Sequence, residues 1–248
     1  HSSCAYIFTS ATLTMAASFT CFTKTLGLSQ AETLLLPSPF DYKTQALLYL
    51  PRDTPDPYDS QYYEMLLTKV LPIIEACGGR SFLLFTSHRA LRWVAQRLYN
   101  NLQYPLLVQG DEAKPLLLAR FRQLGNAVIL GTATFWEGVD VKGETLSCVI
   151  IDKLPFASPA DPVAQGRIAY LKSQGLSAFD ELTLPSAVLA LKQGVGRLIR
   201  DVTDKGILVI ADPRLTARHY GKQLFASLPP IGKTRDEQTA LDFISSWN

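Results

Sequence analysis

The 248-residue sequence contains no cysteine pair at CxxC spacing, no internal repeat and almost no net charge. It also lacks any run of about 18 apolar residues, the length a membrane-spanning helix needs. Each absence excludes something. The four cysteines, Cys4, Cys21, Cys77 and Cys148, lie far apart, which argues against zinc or iron–sulfur ligation within this chain. They sit among apolar or small residues, as inert thiols of a reducing cytosol do. The three histidines are scattered and suggest no metal site. A formal charge of +2 neither predicts nor excludes nucleic acid, because a local basic groove can act inside a neutral total. The chain starts at His1 with no basic-then-apolar leader, and reads as a piece of a longer protein.

What is present has the balance of a globular core, 47% apolar and 19% charged, at a length that suits one large α/β domain. Strand-like runs alternate with helical patterns, as βαβ units of a mainly parallel sheet require. Strands are expected at 6–9, 44–50, 81–86, 106–108, 127–131, 147–152 and 206–211. Helices are expected at 16–26, 61–76, 89–99, 113–123, 184–199, 215–227 and 236–247. Gly78 and Gly79 stop the helix before them, and Pro155, Pro159 and Pro162 read as a rigid loop.

Four segments carry candidate chemistry. In Gln193–Arg200 (QGVGRLIR), Gln193, Arg197 and Arg200 fall at spacings of four and three, which puts them on one face of a helix. Two guanidiniums there can grip a nucleotide's γ-phosphate, while the plain alternative is a solvated arginine face. Gly194 and Gly196 cost roughly 1 kcal/mol each in a helix relative to Ala, which suggests close approach to the backbone. In Leu130–Gly143 (LGTATFWEGVDVKG) a buried strand releases Thr132, Thr134, Trp136, Glu137 and Asp140 at its carboxyl end, where parallel sheets bind ligands. The threonines suit phosphate oxygens, and Glu137 or Asp140 suits a ribose hydroxyl or an arginine. Trp136 alone reads better as core. In Leu83–Arg89 (LLFTSHR), Thr86 or Ser87 caps the next helix while its first amides meet a phosphate. Thr9–Leu13 (TSATL) is small, polar and weak by itself.

In this order the four resemble motifs III, IV, V and VI of superfamily 2 helicases, and FWEGVD, QGVGRLIR and VIIDKLPFASPADP are similar to the DinG/XPD branch. The resemblance implies an α/β, RecA-like second motor domain spanning 1–248, with a lead-in over 1–40, a core over 41–235 and a terminal helix over 236–248. It implies ATP and Mg2+ held mainly by a first domain that also carries a 4Fe–4S cluster, and 5′-to-3′ movement on single-stranded DNA in repair or replication. Arg197 and Arg200 would contact the γ-phosphate, with Arg200 the arginine finger and Gln193 assisting. Glu137, Gly138, Asp140 and Gly196 would lie near the nucleotide, and Thr86, Ser87, His88, Thr132, Thr134 and Trp136 near DNA.

Two segments imitate missing parts. Gly232-Lys233-Thr234 ends like a phosphate-binding loop, but Ser227 stands where its first glycine belongs and Pro229–Pro230 intrude. Asp111-Glu112-Ala113 begins like a DEAH box, but Lys114 replaces the His. The chain alone is therefore expected not to hydrolyse ATP. In the terminal segment, Ala240, Leu241, Ile244 and Trp247 form an apolar stripe that either packs on its own domain or docks a partner. The resemblance implies the chi subunit of DNA polymerase III for that role. A docking scaffold is thus the rival to the motor reading, and a translocase that moves without unwinding is a third.

Overall fold

The computed structural model describes residues 4–28, 30–132, 135, 145–156 and 161–247. Seven strands form one sheet in the order β3-β4-β2-β5-β6-β1-β7, and every pairing is parallel. They are β1 (Ala46–Tyr49), β2 (Ser81–Leu84), β3 (Leu106–Val108), β4 (Val128–Gly131), β5 (Cys148–Ile151), β6 (Gly206–Ile210) and β7 (Gly232–Thr234). The helices are α1 (Thr20–Leu26), α2 (Tyr42–Gln45), α3 (Tyr62–Ala76), α4 (His88–Leu98), α5 (Lys114–Leu124), α6 (Pro162–Ser173), α7 (Leu184–Val195), α8 (Arg214–Ala217), α9 (Gly221–Ser227) and α10 (Glu237–Ser245). A π-helical turn, Phe179–Thr183, leads into α7.

The central strands β2, β4, β5 and β6 are buried at every position because the sheet is covered on both faces, and the period-two pleat divides their side chains between two cores. Phe82 and Leu84, Val149 and Ile151, and Leu208 and Ile210 join one core with residues of α5, α7 and α9. Leu83, Cys148, Ile150, Ile207 and Val209 join the other with α3, α4 and α10. Each fully buried side chain of this kind contributes about 1.5–3 kcal/mol. Ala240 and Ile244 are buried in the second core and Trp247 packs against it, so the terminal stripe is used within the domain.

Several expectations are corrected. Residues 6–9 form no strand; Tyr6 and Ile7 are 82% and 85% exposed, and a strand needs a ladder partner that the described sheet does not offer them. The proline-rich segment does not stay a loop. Pro162 opens α6 from its first turn, where its fixed φ and missing N–H are harmless, and the Asp161 carboxylate accepts from the Val163 and Ala164 amides at 2.8 and 3.4 Å. The helix expected over 215–227 is broken in two. Gly221 packs so tightly on the Leu215 carbonyl that no Cβ fits there. The 232–234 tripeptide is an edge strand paired with β1.

Candidate functional site

All seven strands run the same way, so the loops sort onto two rims separated by the strands' length, roughly 13–16 Å at about 3.3 Å per residue. The nominated residues fall on both.

The arginine segment lies at the amino rim, and its geometry differs from the expected helix. Helix α7 ends at Val195. The Arg197 and Leu198 amides then donate to the Gly194 and Val195 carbonyls, three residues back, which tightens the last turn. Gln193 is on α7, but Arg197 and Arg200 lie beyond it, so the three do not share a helical face. The physical reason is on both sides of the break. Gly194 and Gly196 weaken the helix, and Leu198 and Ile199 leave it to enter the core. Leu198 packs on Gly206, where an added Cβ would stand 2.6 Å from Leu198 Cγ. At Gly196, where close approach was expected, an added Cβ would meet only carbonyls of the preceding turn, Lys192 at 3.2 Å and Gln193 at 4.0 Å.

The loop after Arg200 is braced at the backbone. Asp204 Oδ2 accepts from the Arg200 and Asp201 amides at 2.8 and 2.9 Å. The buried Gln45 amide, at the amino end of β1, donates to the Asp201 and Asp204 carbonyls, both at 2.9 Å. Arg197 is 8% exposed and Arg200 half-buried. Gly196 is exposed beside them. Lys192 Nζ donates to the Thr14 carbonyl at 2.8 Å, tying the segment after TSATL to α7, and burial lowers that lysine's pKa.

The carboxyl rim holds Thr86, Ser87, His88 and Thr132. Ser87 caps α4, its hydroxyl accepting from the Ala90 amide at 3.2 Å, and Thr86 and His88 are exposed beside it. Thr132 is buried, and both its amide and its hydroxyl donate to Gln109 Oε1, at 2.6 and 3.0 Å. Thr134, Trp136, Glu137, Gly138 and Asp140 lie outside the described residues.

Sequence reasoning missed the group that organises this rim. Asp152, at the end of β5, is 1% exposed. Its Oδ1 accepts from the Thr86 and Lys153 amides at 3.0 and 2.6 Å, and its Oδ2 accepts from the Tyr63 hydroxyl at 3.1 Å. Burial, only partly offset by those bonds, pushes its carboxyl up to about 7. The Tyr62 hydroxyl donates to the Asp152 carbonyl. One strand over, the buried Asp212 carboxylate accepts a fork from Arg214, at 2.9, 3.1 and 2.6 Å, and the Leu154 amide at 2.8 Å. That fork raises the Arg214 pKa. An aspartate ending a strand-like run, IID or IAD, was the available signal.

The two imitating segments have other employment. Asp111 binds Arg92 and the Tyr99 hydroxyl, each at 2.8 Å, and its carboxyl is held below the usual range by the Arg92 bond. Glu112 pairs with Arg120. Lys233 Nζ stands 4.4 Å from the Phe225 ring centroid, on an edge strand instead of at a helix start. Among the described residues no group of three His, Cys, Asp or Glu is placed to hold a metal. No helix there is long and apolar enough to cross a membrane.

A seven-stranded parallel sheet with arginines on one rim and hydroxyl-rich turns on the other is a RecA-like helicase domain. The chain belongs to the helicase C-terminal domain family, whose model matches residues 70–231. It is 50% identical over 240 residues to the ATP-dependent DNA helicase YoaA of Escherichia coli, covering 97% of this chain and 38% of that protein. It is 37% identical to the ATP-dependent helicase DinG of Mycobacterium tuberculosis, covering 92% of this chain and 35% of that one. A solved XPD helicase shares the fold, with a TM-score of 0.59 at 20% identity over 77% of this chain and 35% of the other. The chain therefore spans under two-fifths of the length of these relatives.

Proposed function

We propose that the chain is the C-terminal motor half of an ATP-dependent 5′-to-3′ DNA helicase acting in repair or replication. The observation that carries this reading is the braced loop at the amino rim. Asp204 and Gln45 hold the backbone around Arg200, so the loop that carries its guanidinium is set before any nucleotide arrives. Arg200 is the arginine finger, Arg197 the second γ-phosphate contact, and Gln193 assists from the end of α7. ATP with Mg2+, held mainly by a first motor half, supplies the phosphoryl group whose transfer to water drives movement. On its own the chain does not hydrolyse ATP, because it brings arginines and no phosphate cradle. Thr86, Ser87 and His88 face the DNA backbone from the opposite rim, with Thr132 buried behind them on Gln109, and TSATL joins the two halves.

The cysteines of this chain do not fit a 4Fe–4S cluster. Cys77 and Cys148 are fully buried in the same core, and Cys4 and Cys21 lie in the lead-in segment. The cluster belongs to the remainder of the longer protein.

The test is ATP turnover of the longer protein with single-stranded DNA, before and after Arg200→Ala. Stimulated turnover falls by roughly 10³-fold or more while DNA still binds. Unchanged turnover overturns the motor reading. A second reading, docking of the DNA polymerase III chi subunit, is favoured by Phe243 and Trp247, which pack edge-to-face at 5.3 Å and stay half-buried at the end of α10. Capture of purified chi by the parent and not by Phe243→Ser supports it; equal capture removes it.

A further inference from the structure

The loop between β1 and α3 lies outside every motif segment described above, yet it carries the most exposed large aromatic ring among the described residues. Tyr58 is 86% exposed. An aromatic ring at such a position is ordinarily free to swing, but here its surroundings are built. The Tyr58 amide donates to Asp56 Oδ1 at 3.0 Å, and the Asp59 amide to the Asp56 carbonyl at 2.8 Å. The preceding residue, Pro57, is buried, and its carbonyl accepts from Lys153 Nζ at 2.6 Å.

Two cations flank the ring. Lys153 Nζ stands 5.8 Å from its centroid and Arg214 Cζ 5.9 Å. Both distances are within the range where a cation is attracted to the negative face of a ring. Neither cation is loose, since Lys153 is held by Pro57 and Arg214 is gripped by the buried Asp212 carboxylate. The ring thus has two held cations within reach while most of it stays open to solvent.

Its place in the fold matters as much. Lys153 and Thr86 donate their amides to the same oxygen, Asp152 Oδ1. The Tyr58 platform is therefore continuous with the Thr86–Ser87 turn on the carboxyl rim. An open ring on a rigid loop, flanked by cations and adjoining a phosphate-suited turn, is how proteins hold single-stranded nucleic acid without reading its sequence.

We propose that Tyr58 is a stacking platform for one base of the bound DNA strand, with Lys153 and Arg214 holding the ring in place. This rests on the DNA-binding reading of the carboxyl rim and adds to it a contact that no motif supplies. Backbone contacts alone tolerate a strand stripped of bases; a stacking platform does not.

The test uses the longer protein and a fluorescein-labelled oligothymidylate, with an abasic strand of the same length beside it. Tyr58→Ala weakens oligothymidylate binding about tenfold and leaves abasic-strand binding unchanged, while Tyr58→Phe binds both as the parent does. Equal oligothymidylate affinity for Tyr58→Ala and parent overturns the platform and leaves the DNA-binding reading intact. So does an equal loss on both strands, which is what a merely structural tyrosine gives. A fall in DNA-independent ATP turnover in Tyr58→Ala would place the ring against the other motor half and also overturns it. If the parent binds neither strand, the DNA-binding reading itself falls.

Discussion

The two rims of the sheet solve opposite problems with the same residue type. At the amino rim, the Asp204 carboxylate gathers two backbone amides and Gln45 takes up two carbonyls, so the backbone of the arginine loop is held still. At the carboxyl rim, Asp152 and Asp212 are themselves buried, and they fasten three neighbouring loops to the ends of β2, β5 and β6. The first arrangement braces main chain, and the second buries the carboxylates themselves. Positions at the amino rim should therefore act mainly on turnover, and positions at the carboxyl rim mainly on stability and on strand affinity.

The sharpest break of that contrast is Arg214→Ala. It strips the partner from Asp212, a carboxylate whose side chain is fully buried, and is expected to destabilise by about 3–5 kcal/mol, read as a lower urea midpoint. Stability within about 0.5 kcal/mol of the parent would mean that Asp212 does not organise its rim. At the other rim, Asp204→Ala is expected to cost about 1–3 kcal/mol, because two amides lose their acceptor. Its larger effect should appear in DNA-stimulated ATP turnover of the longer protein, with strand affinity unchanged. A change in affinity instead would mean that the rims are not separate.

Asp152 gives a pH test. Its folded pKa, about 7, stands above the roughly 3.9 of an unfolded aspartate. Between those values the folded state holds a proton that the unfolded chain has released, so stability falls as pH rises through the window and the burial penalty is complete above it. Asp152→Asn keeps an acceptor for the Thr86 and Lys153 amides and cannot ionise. Urea midpoints measured from pH 5 to 8 should thus show the parent losing ground to the variant as pH rises. Parallel curves would remove Asp152 as the titrating group. The smallest effect expected is that of Ser87→Ala, about 1 kcal/mol from the lost α4 cap.

Much of this was legible in advance. The central strands announced themselves because apolar runs bounded by polar turns have few other uses, and Gly78 and Gly79 marked the end of α3 with positive φ of 62° and 83°. Ser87 as a helix cap followed from residue type and position. The two misplaced helix ends share one cause. Helix periodicity continued through QGVGRLIR and across 215–227, but in the structure Leu198 turns away to meet Gly206, and Gly221 closes on the Leu215 carbonyl. Local pattern carries no information about which distant atom a glycine leaves room for.

By itself the sequence determined the α/β class and the chemical type of each candidate side chain, because periodicity, glycine placement and short-range caps are local properties; the family came from the resemblance of its motif segments. The tertiary structure decided where those side chains meet. It placed the arginines on one rim and the hydroxyl turns on the other, and joined Gln45 to Asp204 across 159 residues. It also brought Asp152 to Thr86 across 66 and set Tyr58 between two cations. Parallel strand order and burial create those pairings, and a buried carboxylate takes its role from the amides that the fold delivers to it.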